Sequence, residues 1–146
     1  MQNFPHHYNV TATAQVEGDV IVDSENLSSL ATAPPAEFGG PGDRWSPETL
    51  LVAAVANCFV LSFRAIARAS RLSWVSISCS VRGDLDRMDK VTEFTAFEVR
   101  AFLRIPSQTT QDKANRLLEL AEKSCLITNS LKADTHLVSE IEVVKA

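Results

Sequence analysis

The sequence predicts an α+β domain, and three observations predict it. Segments near both ends of the chain alternate apolar and polar residues with the period of a half-buried strand. Two stretches carry helical signals, one of them apolar almost all round. The elements come in runs, strands then helix then strands, rather than in strict strand–helix alternation, which segregates helices on antiparallel-rich sheets.

The first strands fall in residues 8–32. Val10, Ala12, Ala14 and Val16 alternate with polar or small residues, Glu17-Gly18-Asp19 marks a turn, and Val20-Ile21-Val22 restarts a strand. A third strand is expected near residues 28–32. Residues 33–47 hold Pro34, Pro35, Gly39, Gly40, Pro41, Gly42 and Pro47 and read as a loop. A loop of this length in a small domain is more often functional than incidental.

Ser46-Pro47-Glu48 starts a helix, with serine at the N-cap, proline at the first helical position and an acid in the first turn. The helix runs to about Arg71. Between Leu50 and Ala67, 15 of 18 residues are apolar, the exceptions being Asn57, Ser62 and Arg64. Such a helix is expected to be buried on most sides. Its longest apolar run, residues 50–63, is short for a membrane span.

A strand at residues 74–84 sets Val75, Ile77, Cys79 and Val81 on one face, and a turn is expected over residues 84–90. A second long strand, residues 92–105, puts Phe97, Val99, Ala101, Leu103 and Ile105 together. Residues 109–125 form a second helix, with Ala114, Leu117, Leu118, Ala121 and Cys125 on one face. A short helical turn at 126–131 and a last strand at 135–144 complete the chain.

At 146 residues, with 45% hydrophobic and 22% charged residues, the chain fits one domain, taken as residues 1–146. The net charge of -4 argues against nucleic acid, whose phosphates call for a basic patch. Charge is uneven: the first 50 residues hold seven acids and a single base, Arg44. The start has neither a basic segment nor an apolar one of the kind that leads secretion, so a soluble, cytoplasmic protein is expected, with no membrane partner. Three cysteines, Cys58, Cys79 and Cys125, show no metal-ligand spacing, and a structural disulfide framework is not expected in a reducing compartment. No metal or cofactor is indicated. His6 and His7 are adjacent and would point to opposite faces of a strand, and His136 stands alone.

Taken singly, each cysteine has an ordinary explanation as a small hydrophobe in the core. Read together, the residues say more. A Pro/Gly-rich loop enters a capped helix that carries a cysteine, and a second cysteine ends the other helix. The stretches Ala36-Glu37-Phe38-Gly39-Gly40-Pro41-Gly42, Ser46-Pro47-Glu48-Thr49-Leu50-Leu51-Val52-Ala53-Ala54-Val55-Ala56-Asn57-Cys58-Phe59 and Ala121-Glu122-Lys123-Ser124-Cys125-Leu126-Ile127-Thr128-Asn129-Ser130-Leu131 resemble the OsmC/Ohr family of organic hydroperoxide reductases. The element order resembles that family's along essentially the whole chain.

The resemblance implies antiparallel-rich sheets around a buried central helix, in an intertwined homodimer with active sites at the interface. It also implies a two-cysteine peroxidase. The attacking cysteine falls on Cys58, the resolving cysteine on Cys125, and the glutamate that orients a catalytic arginine on Glu48. The substrate would be an organic hydroperoxide and the reductant a lipoyl-type dithiol. Phe38, Trp45, Phe59 and Phe63 are candidate walls of an apolar pocket. The alternative is an OsmC-like domain with weak or no peroxidase activity, serving as a small-ligand binder or redox sensor.

The family's arginine is the point of departure. In Ohr-type members it sits in the first hairpin, which here reads Ala14-Gln15-Val16-Glu17-Gly18-Asp19-Val20. In OsmC-type members it sits in the loop before the helix, near Glu37 here. Neither place is basic. Either Arg44, four residues before Glu48, substitutes for it, or Arg64 or Arg68 does, or no cation is present. As a loop residue, Arg44 has an ordinary explanation in solvation. Without a cation, a cysteine buried among apolar side chains is a poor nucleophile. Leu126 stands where the family commonly has proline.

Overall fold

The computed structural model describes residues 1–145; Ala146, the last residue of the expected domain, lies outside the described residues. The chain forms two compact units, Met1–Leu51 and Val52–Ala146.

In the first unit, β1 (Thr11–Thr13), β2 (Val20–Asp23) and β3 (Leu30–Thr32) form an antiparallel sheet in that order. Gly18, at a φ of 96°, supplies the left-handed residue of the first turn. The expected loop is more structured than its composition suggests. Ala36–Phe38 make a 3₁₀ turn, and the Ala33 N–H donates to the Trp45 carbonyl at 3.0 Å, tying both ends of the loop together. Gly40 is required there: a Cβ would fall 1.7 Å from the Pro34 carbonyl oxygen.

The long helix α1 (Pro47–Ala69) begins in the first unit and continues through the second. Its start is held reciprocally. Ser46 Oγ accepts the Thr49 N–H at 3.1 Å, and Thr49 Oγ1 accepts the Ser46 N–H at 2.9 Å, a capping box with threonine in the place of the usual Glu or Gln. The helix ends where Leu72 N–H reaches back to the Ala67 carbonyl across Arg71, whose φ is 52°.

The second unit holds β4 (Ser76–Met88), β5 (Val91–Pro106), α2 (Gln111–Lys123), α3 (Leu126–Asn129) and β6 (Asp134–Val144). Strands β4 and β5 form a long antiparallel hairpin, and β6 joins β5 in parallel after the α2–α3 crossover. The turn expected over 84–90 is tighter than that. Strand β4 runs on to Met88, and only Asp89 and Lys90 turn, both with left-handed φ, 49° and 69°. What the sequence marks near Asp84 is a bulge. Asp84 pairs with Ala96 and Leu85 with Phe94, so Thr95 is extra, and its hydroxyl donates to the Asp84 carbonyl at 3.2 Å.

The core of this unit follows the expected pattern. Phe97, Val99, Ala101, Leu103 and Ile105 of β5 are buried, as are Ala114, Leu117, Leu118 and Ala121 of α2. Helix α1 contributes one stripe, Val55, Phe59, Phe63 and Ala67, at four-residue spacing. Phe63 meets Trp74 edge-on, with ring centroids 5.5 Å apart. Gly83 of β4 admits the helix closely, for a Cβ there would lie 2.9 Å from Val52 Cγ2. The expectation that α1 is buried on most sides therefore holds for one stripe only. This chain offers α1 one packing face, and Leu61 on the other side stays 51% exposed. By length and apolarity α1 could cross a membrane, contrary to the estimate from its longest apolar run.

Candidate active site

The two cysteines singled out in the sequence come together within the second unit. Cys58 lies on the side of α1 away from the Phe59–Phe63 stripe and is half-buried. Cys125 immediately precedes α3 and is 2% exposed. All three cysteines are free thiols. Cys58 stands close enough to Cys125 for its thiol to stabilise a charged Cys125 sulfur.

The surroundings of Cys125 favour its thiolate. Burial alone would raise its pKa, but the Thr128 hydroxyl and N–H, the Cys58 thiol and the Ile127 N–H all stabilise the charged sulfur. The net effect holds Cys125 below the ordinary thiol value. The Thr128 hydroxyl also reaches the Cys125 carbonyl at 3.2 Å, which fixes the turn into α3. Cys79, opposite Ala101 on the β4–β5 hairpin, behaves in the opposite way. Burial, and then the charge of nearby Cys125, push its thiol up to about 11. It stays protonated where Cys125 ionises.

Beside Cys58 a cavity of about 470 Å³ opens, lined from α1 by Ala54, Asn57, Cys58, Leu61, Ser62 and Ala65 and from α3 by Leu126 and Ile127. Apart from the adjacent Asn57, the α1 residues lie three, four or seven residues from Cys58 and form one face of the helix. That spacing could have found them from sequence, since it needs only Cys58 as origin. Two of the aromatic residues expected as walls are elsewhere: Phe59 and Phe63 are fully buried in the core, on the other stripe. Phe38 and Trp45, in the first unit, are 59% and 49% exposed. Leu126 is 66% exposed and forms part of the cavity rim.

Cys58 Sγ lies 3.9 Å from the hydroxyl of Ser62, one helical turn later. No arginine or lysine is among the described residues that line the cavity. In the first unit, Arg44 Nε donates to Asp19 Oδ2 at 3.1 Å, and Nη1 lies 3.4 Å from Asp43 Oδ2. Its guanidinium is held further toward the charged form by the hydrogen bond to Asp19 and by both carboxylates. Glu48 is not among its partners. Instead, Glu48 Oε2 is sealed from solvent with no hydrogen-bond partner among the described residues, an acceptor that lacks a donor.

Against known proteins, the chain matches the family model of OsmC-like proteins over residues 40–140. An uncharacterized protein of Bacillus subtilis, YmaD, is 25% identical over 125 residues, 84% of this chain and 83% of that protein. Among solved structures, an OsmC-like protein of unknown function from Vibrio cholerae aligns with a TM-score of 0.82 at 20% identity, covering 94% of this chain and all of that one. An organic hydroperoxide resistance protein OsmC from Legionella pneumophila aligns with a TM-score of 0.75 at 22% identity, covering 96% of this chain and 99% of the other. With the fold matched end to end and more than half of the sequence matched to the family model, the chain belongs to the OsmC-like family.

Proposed function

We propose that this chain is a single-domain thiol peroxidase that reduces organic hydroperoxides to alcohols, a specific form of the redox or peroxide-resistance role that membership of the family suggests. The observation that carries the reading is the pairing of two thiols of unlike environment, one on the wall of an apolar cavity and one sealed beside it.

Cys58 is the attacking group. Its sulfur forms a bond to the terminal oxygen of the peroxide, the O–O bond breaks, and the alcohol leaves. The sulfenic acid on Cys58 then condenses with Cys125, releasing water and leaving a Cys58–Cys125 disulfide. A dithiol of the lipoyl type restores the pair by exchange. The sulfur on the cavity wall, Cys58, is the one such a reductant reaches, and Cys125, stabilised as thiolate, is the better leaving group. The apolar lining suits an organic peroxide over hydrogen peroxide. Glu48 and Arg44 are assigned the family's supporting roles, with Glu48 the acceptor for a guanidinium. A homodimer with its sites at the interface, in the cytoplasm, would cover the exposed side of α1.

A second reading keeps the fold and drops efficient catalysis, leaving a small-ligand binder or redox sensor. The ties of Arg44 to Asp19 and Asp43, and the cavity's lack of a cation, favour it. Consumption of cumene hydroperoxide with a dithiol reductant separates the two. Fast turnover in the wild type that is lost in Cys58→Ser supports the peroxidase. Additional loss in Arg44→Ala makes Arg44 the cation, and unchanged turnover in that variant excludes it. No wild-type turnover with any peroxide or dithiol refutes the first reading and leaves the second.

A further inference from the structure

Serine and threonine inside a helix usually turn the hydroxyl back onto the carbonyl four residues earlier. The two serines that cap the C-termini of α2 and α3 do so. Ser124 Oγ donates to the Leu120 carbonyl at 2.6 Å, and Ser130 Oγ to the Leu126 carbonyl at 2.7 Å. Ser62 has the same four-residue relation to Cys58, yet its hydroxyl meets the Cys58 sulfur at 3.9 Å, and among the described residues no hydrogen bond takes it to the carbonyl. The two side chains stand one turn apart on the face of α1 that lines the cavity.

A thiolate in an apolar setting needs donors, and here they are few. The lining offers two polar side chains besides the thiol, Asn57 and Ser62. Of these, Ser62 contacts the sulfur. The titratable group that faces Cys58 from the α3 side is Cys125, a weak S–H donor that is itself held toward the charged form and so is a poor donor to a Cys58 thiolate. We infer that Ser62 is a further catalytic residue: its hydroxyl donates to the Cys58 thiolate and then to the alkoxide oxygen released as the O–O bond breaks.

The inference rests on Cys58 being the nucleophile. Cys58 gives its proton to solvent and attacks; the S–O bond forms as the O–O bond breaks. The departing alkoxide takes a proton from the Ser62 hydroxyl, which solvent replaces. Thiol and hydroperoxide thus become sulfenic acid and alcohol, with one proton lost and one regained.

The test is Ser62→Ala beside Ser62→Thr, the second keeping a hydroxyl. Alkylation of Cys58 by iodoacetamide, followed by mass spectrometry of its peptide, reads thiolate stabilisation without any peroxide. Loss of one hydrogen bond of ordinary strength to the sulfur is expected to slow Cys58 alkylation at neutral pH in Ser62→Ala by about threefold to tenfold. The pH–rate profile should move to higher pH, and Ser62→Thr should restore both. An alkylation rate in Ser62→Ala equal to the wild type overturns the inference. So does a Ser62→Thr as slow as Ser62→Ala, which would make the effect one of packing. Absence of peroxide turnover in the wild type would remove the peroxidase reading, while the alkylation result still decides whether Ser62 donates to the sulfur.

Discussion

Gly83→Ala should loosen the contact between α1 and the sheet that carries the site. An added Cβ would lie 2.9 Å from Phe94 Cε1, 2.9 Å from Val52 Cγ2 and 3.0 Å from Phe97 Cε1. Phe94 and Phe97 are stacked with ring centroids 5.2 Å apart, and Phe97 is 1% exposed, so the Phe97 ring has no easy way out. Overpacking of this kind costs about 1–3 kcal/mol. Replacing glycine also restricts the unfolded chain, which returns about 0.4–1 kcal/mol. The net expectation is a loss of about 1–2 kcal/mol. For a chain of this size, each kcal/mol moves Tm by about 3 °C, so the melt should fall by roughly 3–6 °C. The neighbour that can yield is α1, and Val52 lies six residues before Cys58 on it. The rate of Cys58–Cys125 disulfide formation under mild peroxide should therefore fall as well. Thermal denaturation by circular dichroism, with thiol counting after peroxide, checks both. A Gly83→Ala protein with unchanged or higher Tm would refute the packing argument.

Further outcomes follow from single side chains. Cys125→Ser should leave peroxide free to oxidise Cys58 beyond the sulfenic acid, so mass spectrometry should find sulfinic acid on the Cys58 peptide that the wild type does not accumulate. Cys79→Ala should be less sensitive than the wild type to alkali. A folded-state thiol raised from 9.0 to about 11 keeps its proton while the unfolded thiol loses it, so wild-type stability falls as pH rises through that window. The upper bound is about 2.7 kcal/mol, which screening of a partly exposed thiol cuts to about 1 kcal/mol; urea melts at pH 8 and above pH 11 should show the difference. Ser46→Ala removes one side of the capping box at the start of α1 and should cost about 1 kcal/mol, read as a lower urea midpoint at an unchanged slope.

Much of the fold was legible because it rests on local signals. Ser46-Pro47 marks the start of α1 through its capping chemistry, and the alternation in β5 names five residues that are all buried. The tight turn at Asp89-Lys90 was not legible, since neither residue is the glycine or asparagine that usually marks two left-handed positions. The parallel pairing of β6 was hidden as well, because a side-chain period of two is the same in both kinds of ladder. The bulge at Asp84 and Leu85 took the place of the turn because both break the alternation in the same way. At the site, the cysteine pair came from resemblance, and its contact came from the fold. The cavity wall was misassigned to Phe59 and Phe63 by chemistry alone: bulky aromatics suit a pocket, but their spacing from Val55 sets them on the core stripe.

That division of α1 has a consequence for how the site works. Cys58 and Phe59 are neighbours in sequence, separated by about 100° around the helix, and the fold puts one on the cavity and the other in the core. Cys58 is thus carried by an element whose neighbouring stripe is fixed by packing, which limits its movement relative to Cys125. The pair is also asymmetric in access. Cys125 is enclosed, with backbone N–H groups and a hydroxyl arranged for a charged sulfur, while Cys58 borders the cavity. In a disulfide between them, an incoming thiolate can reach Cys58 and displace Cys125, whereas attack on Cys125 would need the turn at Thr128 to open. In the proposed peroxidase cycle, direction in the reductive half therefore follows from burial and the donors around Cys125, and it requires no cation. The cation matters for the oxidative half alone, where charge builds on the leaving oxygen, so loss of a guanidinium would slow attack on peroxide while leaving disulfide exchange intact.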